Sequence, residues 1–184
     1  MRVMGIAGWS GAGKTTLLSR LIPVLVGRGF TVSTIKHAHH HFDVDYPGKD
    51  SHTHRVAGAT EVLVSSLNRF ALMHELRGEA EPDLARLLSM LAPVDFVLVE
   101  GYNPEPLPKI EVHRVANGKP LIYTNDPTVL AVATDDVRDE TDRTFIALED
   151  AEALADFVVA RAVAIGDLLK ILGTGNSAEA RITR

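Results

Sequence analysis

The chain has 184 residues, 46% apolar and 23% charged, enough for one core without covalent staples, and it contains no cysteine. That absence excludes a disulfide framework, a cysteine nucleophile, a thiolate zinc site and an iron–sulfur cluster. A formal charge of −5 argues against a nucleic-acid binder, and neither a signal peptide nor a membrane span is visible, so a soluble cytoplasmic protein is expected.

Val3 to Ala7 reads as a buried strand. Leu17, Leu18, Leu21, Ile22, Leu25 and Val26 then recur at helical spacing, predicting a helix from Lys14 to Val26 that Pro23 bends or ends early. Thr31 to Ile35 is a second strand, followed by a polar loop from Lys36 to Asp50 and a short helix from Ser51 to Ala59 with Asp50 as N-cap. Glu61 to Ser66 and Arg69 to Leu76, joined at Leu67-Asn68, form a hairpin pattern, and Pro82 to Leu91 carries a helical one. Val94 to Val99 is a strand buried on both faces; Lys109 to Val115, Leu121 to Thr124 and Val129 to Ala133 are further strand candidates. Asp135 to Arg143 reads as a solvated connection and Glu149 to Leu172 as one long helix weakened at Gly166. The expected fold is a three-layer α/β P-loop NTPase, a mostly parallel sheet flanked by helices with a β-hairpin extension, spanning 1–172, with a flexible tail over 173–184.

Gly8-Trp9-Ser10-Gly11-Ala12-Gly13-Lys14-Thr15 matches the phosphate-loop pattern at every fixed position, between a strand and a helix as that motif requires. Its glycines permit close backbone approach, successive N–H groups make an anion nest, and the following helix adds its positive end. Lys14 is placed to reach β- and γ-phosphates, and the Thr15 hydroxyl to ligate Mg2+. Glu100, closing the apolar strand before Gly101, is the matching acidic residue, able to hold magnesium or polarise the attacking group. In the loop after the second strand, Asp50 could be an outer magnesium ligand or position water, and Lys36, His37 and Lys49 could meet phosphates or an anionic substrate. His39, His40 and His41 invite a metal-site reading, but no downstream spacing completes a tetrahedral site, so a histidine-rich loop contacting an anionic ligand or a partner is expected instead.

The cradle, the loop Asp43-Val44-Asp45-Tyr46-Pro47-Gly48-Lys49-Asp50-Ser51, the segment Arg55-Val56-Ala57-Gly58-Ala59 and Val99-Glu100-Gly101-Tyr102 together resemble the molybdopterin-guanine dinucleotide biosynthesis protein B (MobB) family. The resemblance runs from Arg2 to about Val159 and includes Ala155-Asp156-Phe157-Val158. It implies a homodimeric GTP-binding protein with weak, Mg2+-dependent GTPase activity. Such a protein assists a MobA-type guanylyltransferase in attaching GMP to molybdopterin or its molybdenum-bound form. It assigns phosphate contacts to Gly11, Gly13, Lys14, Thr15 and Thr16 of the Gly8–Thr16 cradle (Ser10 and Ala12 included as loop residues), and metal-linked acidic roles to Asp50 and Glu100. Lys14, Asp50 and Glu100 are thus the catalytic candidates, and Thr15, Asp50 and Glu100 the metal candidates.

No Asn-Lys-x-Asp motif reads the base; Asp126 could accept from guanine N1 and N2, or simply form the turn before Pro127. No arginine finger is evident near the cradle, which implies slow turnover without a partner. Three other readings stay open: an adaptor that uses nucleotide only as a ligand, a metallochaperone GTPase, and a small-molecule kinase.

Overall fold

The most apolar run of the sequence forms a strand in which every residue is buried, Phe96–Glu100. This strand can be covered on both faces only if helices lie above and below the sheet. The computed structural model, which describes residues 1–38, 42–138 and 143–179 with side chains as far as 173, shows that arrangement. In chain order the first elements are β1 (Arg2–Ala7), α1 (Lys14–Gly27), β2 (Val32–Lys36), α2 (Asp50–Val56), β3 (Glu61–Ser65), β4 (Phe70–His74) and α3 (Leu84–Met90). Then follow β5 (Phe96–Glu100), β6 (Lys109–His113), a 3-10 turn at Val115–Asn117, β7 (Val129–Thr134), β8 (Thr144–Ala147), α4 (Ala151–Arg161), β9 (Val163–Ala164) and α5 (Ile165–Glu179).

The main sheet runs in the order β2-β5-β1-β6-β7-β8 with every one of these pairs parallel, and β9 joins the start of β1 antiparallel. Alternation sorts the strand residues into two cores. Met4, Ile6, Phe96, Leu98, Ile110 and Val112 face Leu17, Leu21 and Leu25 of α1 and Leu154 and Val158 of α4. Val3, Val97 and Val99 face Leu84 and Leu88 of α3 and Leu168 and Leu172 of α5. The expected α/β architecture, a mostly parallel sheet between helical layers, is therefore what the chain adopts.

The chain packs as two compact units, one comprising 1–37 and 84–184, the other 38–83. The second contains α2 and the hairpin β3–β4, paired from Glu61↔His74 to Ser65↔Phe70 and closed by Ser66 N–H donating to Arg69 O at 2.8 Å. The turn at Leu67-Asn68 lies where turn chemistry places it. Arg55 gathers this unit, donating to Asp45 (2.7 and 3.1 Å), Asp43 (2.9 Å) and Glu75 (3.3 Å).

Several expectations need correction. Helix α1 does not end at Pro23, which lies on its exposed side; the Ser19 carbonyl that loses a donor there can turn to water, while buried Leu17, Leu18, Leu21 and Leu25 keep the helix continuous to Gly27. Asp50 is the first residue of α2 and Lys49, in extended conformation, its cap. Residues 121–124 form no strand: Asn125 and Asp126 N–H both donate to Ile122 O in a turn. The single long helix is two. Asp150 caps α4 by accepting from Ala153 N, extended Ala162 ends it, and Val163–Ala164 pair with β1 before α5 begins. Helix α5 continues past Gly173, where small polar residues suggested a tail. Thr144–Ala147, at the end of the charged connection, is strand β8.

Candidate nucleotide site

The carboxyl ends of β1, β5 and β6 converge on one short loop. Register sets Glu100 of β5 beside Ile6, and Glu111 of β6 beside Ala7, so both neighbouring strands reach the point where β1 gives way to Gly8. Gly8, Gly11 and Gly13 have φ of 142°, 81° and 99°. At Gly8 space also demands glycine, since a Cβ would stand 2.6 Å from Val112 O. Gly13, in left-handed conformation, is the cap of α1 and makes no side-chain cap. The first N–H groups of a 14-residue helix are thereby left for a ligand.

Lys14 folds back over the loop, its Nζ donating to Gly8 O at 2.8 Å and Trp9 O at 3.1 Å. Partial burial pulls its pKa below the ordinary lysine value, opposed by the charge of Glu100 and aided by that of Lys36. Glu100 is itself buried and accepts from Lys36 Nζ at 3.4 Å. The structure thus brings Gly8, Ser10, Gly11, Ala12, Gly13, Lys14, Thr15, Thr16 and Glu100 to one end of the sheet, with Ser10, Thr15 and Thr16 exposed. These groups fit a magnesium-bound triphosphate: an anion nest, an ammonium group, an exposed threonine hydroxyl on the first helical turn and a buried carboxylate one strand away.

Two other predicted residues are not part of that group. Asp50 belongs to the second unit and is not among the groups the first unit assembles. Asp126 precedes the amino end of β7, whereas the loop follows the carboxyl end of β1. Its Oδ2 accepts from Lys109 Nζ at 2.9 Å, and its Oδ1 from Thr128 N at 2.9 Å and Oγ1 at 2.6 Å. A carboxylate so engaged, on a turn, serves the buried Lys109 in place of a base. The three adjacent histidines lie outside the described residues; among those described, no group of three or more His, Asp or Glu side chains could hold a metal ion.

The segment after β6 went unnoticed in the sequence, yet it is fastened to the loop. Asn117 Nδ2 donates to Ser10 O at 3.1 Å, and Trp9 Nε1 to Pro120 O at 2.8 Å. Glu111, fully buried, accepts from the N–H groups of Ile122 and Tyr123 at 2.8 and 2.9 Å. Burial raises its pKa against the pull of those two donors. The available signal was a buried-strand pattern ending in His113-Arg114, which the strand prediction to Val115 obscured.

Comparison with known proteins gives the chain's family. The family model for MobB, molybdopterin guanine dinucleotide synthesis protein B, matches residues 3–135. The molybdopterin-guanine dinucleotide biosynthesis adapter protein of Escherichia coli K12 is 46% identical over 160 residues, covering 85% of this chain and 91% of that protein. Its counterpart in Haemophilus influenzae is 43% identical over 156 residues, covering 85% and 86%. A crystal structure of molybdopterin-guanine biosynthesis protein B superimposes with a TM-score of 0.68 at 26% identity, covering 86% of this chain and 98% of that one. The structure of Bacillus subtilis MobB, at 22% identity and a TM-score of 0.66, covers 88% and 98% and shares the fold. With most of its length matched by the family model and two relatives above 40% identity, the chain belongs to the MobB family.

Proposed function

We propose that the protein is a GTP-binding adapter in the synthesis of molybdopterin-guanine dinucleotide, with slow magnesium-dependent GTP hydrolysis. The observation that carries the reading is the cradle: three glycines with positive φ, Lys14 lying on the loop's own carbonyls, and buried Glu100 at the end of the neighbouring parallel strand. Lys14 leaves those carbonyls for β- and γ-phosphate oxygens. Thr15 and Glu100 would hold a magnesium ion, which would neutralise charge on the phosphates. Phosphoryl transfer of this kind depends on positioning and charge. The family resemblance also proposes a metal-linked role for Asp50. The MobB relatives named above are adapter proteins of this synthesis, and a MobA-type guanylyltransferase handling molybdopterin is the partner proposed here. Guanine preference rests on family membership. A homodimer joined through the apolar β3–β4 hairpin, in the cytoplasm, completes the proposal.

Calorimetric titration with GTP and magnesium tests it. Wild type is expected to bind and Lys14→Ala to lose most of that affinity; equal binding by the two removes the basis of the assignment. Glu100→Gln is expected to slow hydrolysis more than it weakens binding. Cofactor assembly supported equally by GTP and a non-hydrolysable analogue would make turnover incidental to the adapter role.

A further inference from the structure

The strands on either side of β1 deliver different groups to the phosphate loop. On the β5 side stand Glu100 and, from β2, Lys36. On the β6 side stands Arg114, which follows β6 directly and keeps extended backbone, φ −124° and ψ 128°. A Cβ built on Gly13 would lie 3.3 Å from Arg114 Nε and 3.8 Å from its Nη2. The guanidinium therefore lies against the loop where α1 begins. It is half-buried, and no hydrogen bond from it to any described residue is formed. The acid that feels its charge is Asp135, at the end of β7, whose Oδ1 already accepts from Val115 N at 3.0 Å.

The chain just beyond Arg114 is held in place by the Asn117–Ser10 and Trp9–Pro120 bonds. Lys119 adds a cation 5.9 Å from the centre of the Trp9 ring. An arginine presented on so fastened a segment, beside an anion nest, is pre-organised for an anionic ligand. The sheet order says which part of that ligand it meets. Glu100, the proposed magnesium ligand, is on β5, so the metal-bound end of a triphosphate would lie toward that strand. A nucleotide laid across the loop with its γ end toward β5 turns its α-phosphate and ribose toward β6.

We propose that Arg114 is the cation for the α-phosphate of the bound nucleotide, and that 114–120 forms one wall of the nucleoside pocket. The proposal rests on the nucleotide-binding reading above and extends it to a residue with no γ-phosphate role. It separates two kinds of loss. Groups on the β5 side distinguish triphosphate from diphosphate, whereas Arg114 serves both alike.

The test is titration of wild type, Arg114→Ala and Arg114→Lys with GTP and with GDP, each with magnesium, followed by the fluorescence of Trp9, the only tryptophan. Losing a charge-assisted pair is expected to weaken both nucleotides by the same factor, roughly ten- to a hundredfold. The GTP:GDP affinity ratio stays at the wild-type value. Arg114→Lys keeps the charge without the fork and should fall between; it decides the matter if circular dichroism shows the alanine variant unfolded. Unchanged affinity in the variants overturns the proposal, as does a loss confined to GTP. Failure of the wild type itself to bind either nucleotide overturns the nucleotide reading, and this inference with it.

Discussion

The two units of the protein are held together by different forces. In the first, strands β1 and β5 are sealed between helices, and Phe96, Val97 and Leu98 are wholly buried. In the second, Val62 is the buried apolar side chain among the described residues, and a guanidinium gathering three carboxylates does much of the holding. Leu63, Leu67, Phe70 and Leu72 of that unit are more than half exposed. A hairpin with such a surface is marginal alone, and its exposed apolar side chains carry the contact with a second copy proposed above. The densely packed unit carries the phosphate loop; the other leaves most of its apolar side chains exposed.

The largest expected effect lies in the first unit. Phe96 is fully buried, meets Phe30 edge-on at 5.1 Å between ring centres, and has the Arg2 guanidinium 4.3 Å above its ring. Phe96→Ala should cost about 3–5 kcal/mol in denaturant unfolding; a much smaller loss would contradict the tight core described here. Next comes Arg55→Ala, which strands three carboxylates. It should abolish amide-exchange protection across α2 and the hairpin while leaving β1, β5 and β6 protected; equal losses in both units would break the contrast between them.

Third, Phe70→Asp with Leu72→Asp should shift sedimentation from dimer to monomer at micromolar concentration, without changing the melting of the first unit. A monomeric wild type would refute the hairpin's proposed role. The smallest effect is the pH response of the second unit. His74 sits opposite Glu61, whose carboxylate, chiefly by hydrogen bonding, raises its pKa above 6.5. That support is complete below 6.5 and fades as pH climbs through the raised value. Asp45, held below 3.8 chiefly by Arg55, works the other way: its support is complete above 3.8 and fades as pH falls through the lowered value. Hairpin protection should therefore be greatest between these limits. A maximum well above neutrality would contradict the His74–Glu61 pairing.

Most of the sheet was legible because buried parallel strands are near-continuous apolar runs, as Val97-Leu98-Val99 shows. The loop was legible because glycine positions and one lysine are fixed by phosphate chemistry rather than by packing. What escaped had tertiary causes. Leu121 to Thr124 has strand-like composition, yet its N–H groups go to the carboxylate of Glu111, a partner no local pattern discloses. Val163 and Ala164 sit inside a helical periodicity and become a strand because Arg2 and Val3 offer them a free edge. Arg114 matters through its distance to Gly13, a hundred and one positions earlier in sequence, so its place beside the loop could not be read from spacing.

The closure of β1 also has a consequence for biosynthesis. That strand takes partners from 96–100, 109–111 and 163–164, and Ile165 N–H donates to Met1 O at 3.0 Å. On the ribosome the glycine loop emerges among the first residues, but its platform must wait for segments synthesised much later. Chains stalled before Val163 would display the loop without the antiparallel latch on its supporting strand. Completion of the loop's platform is therefore a late event in maturation, and it marks a polypeptide whose translation has passed residue 165.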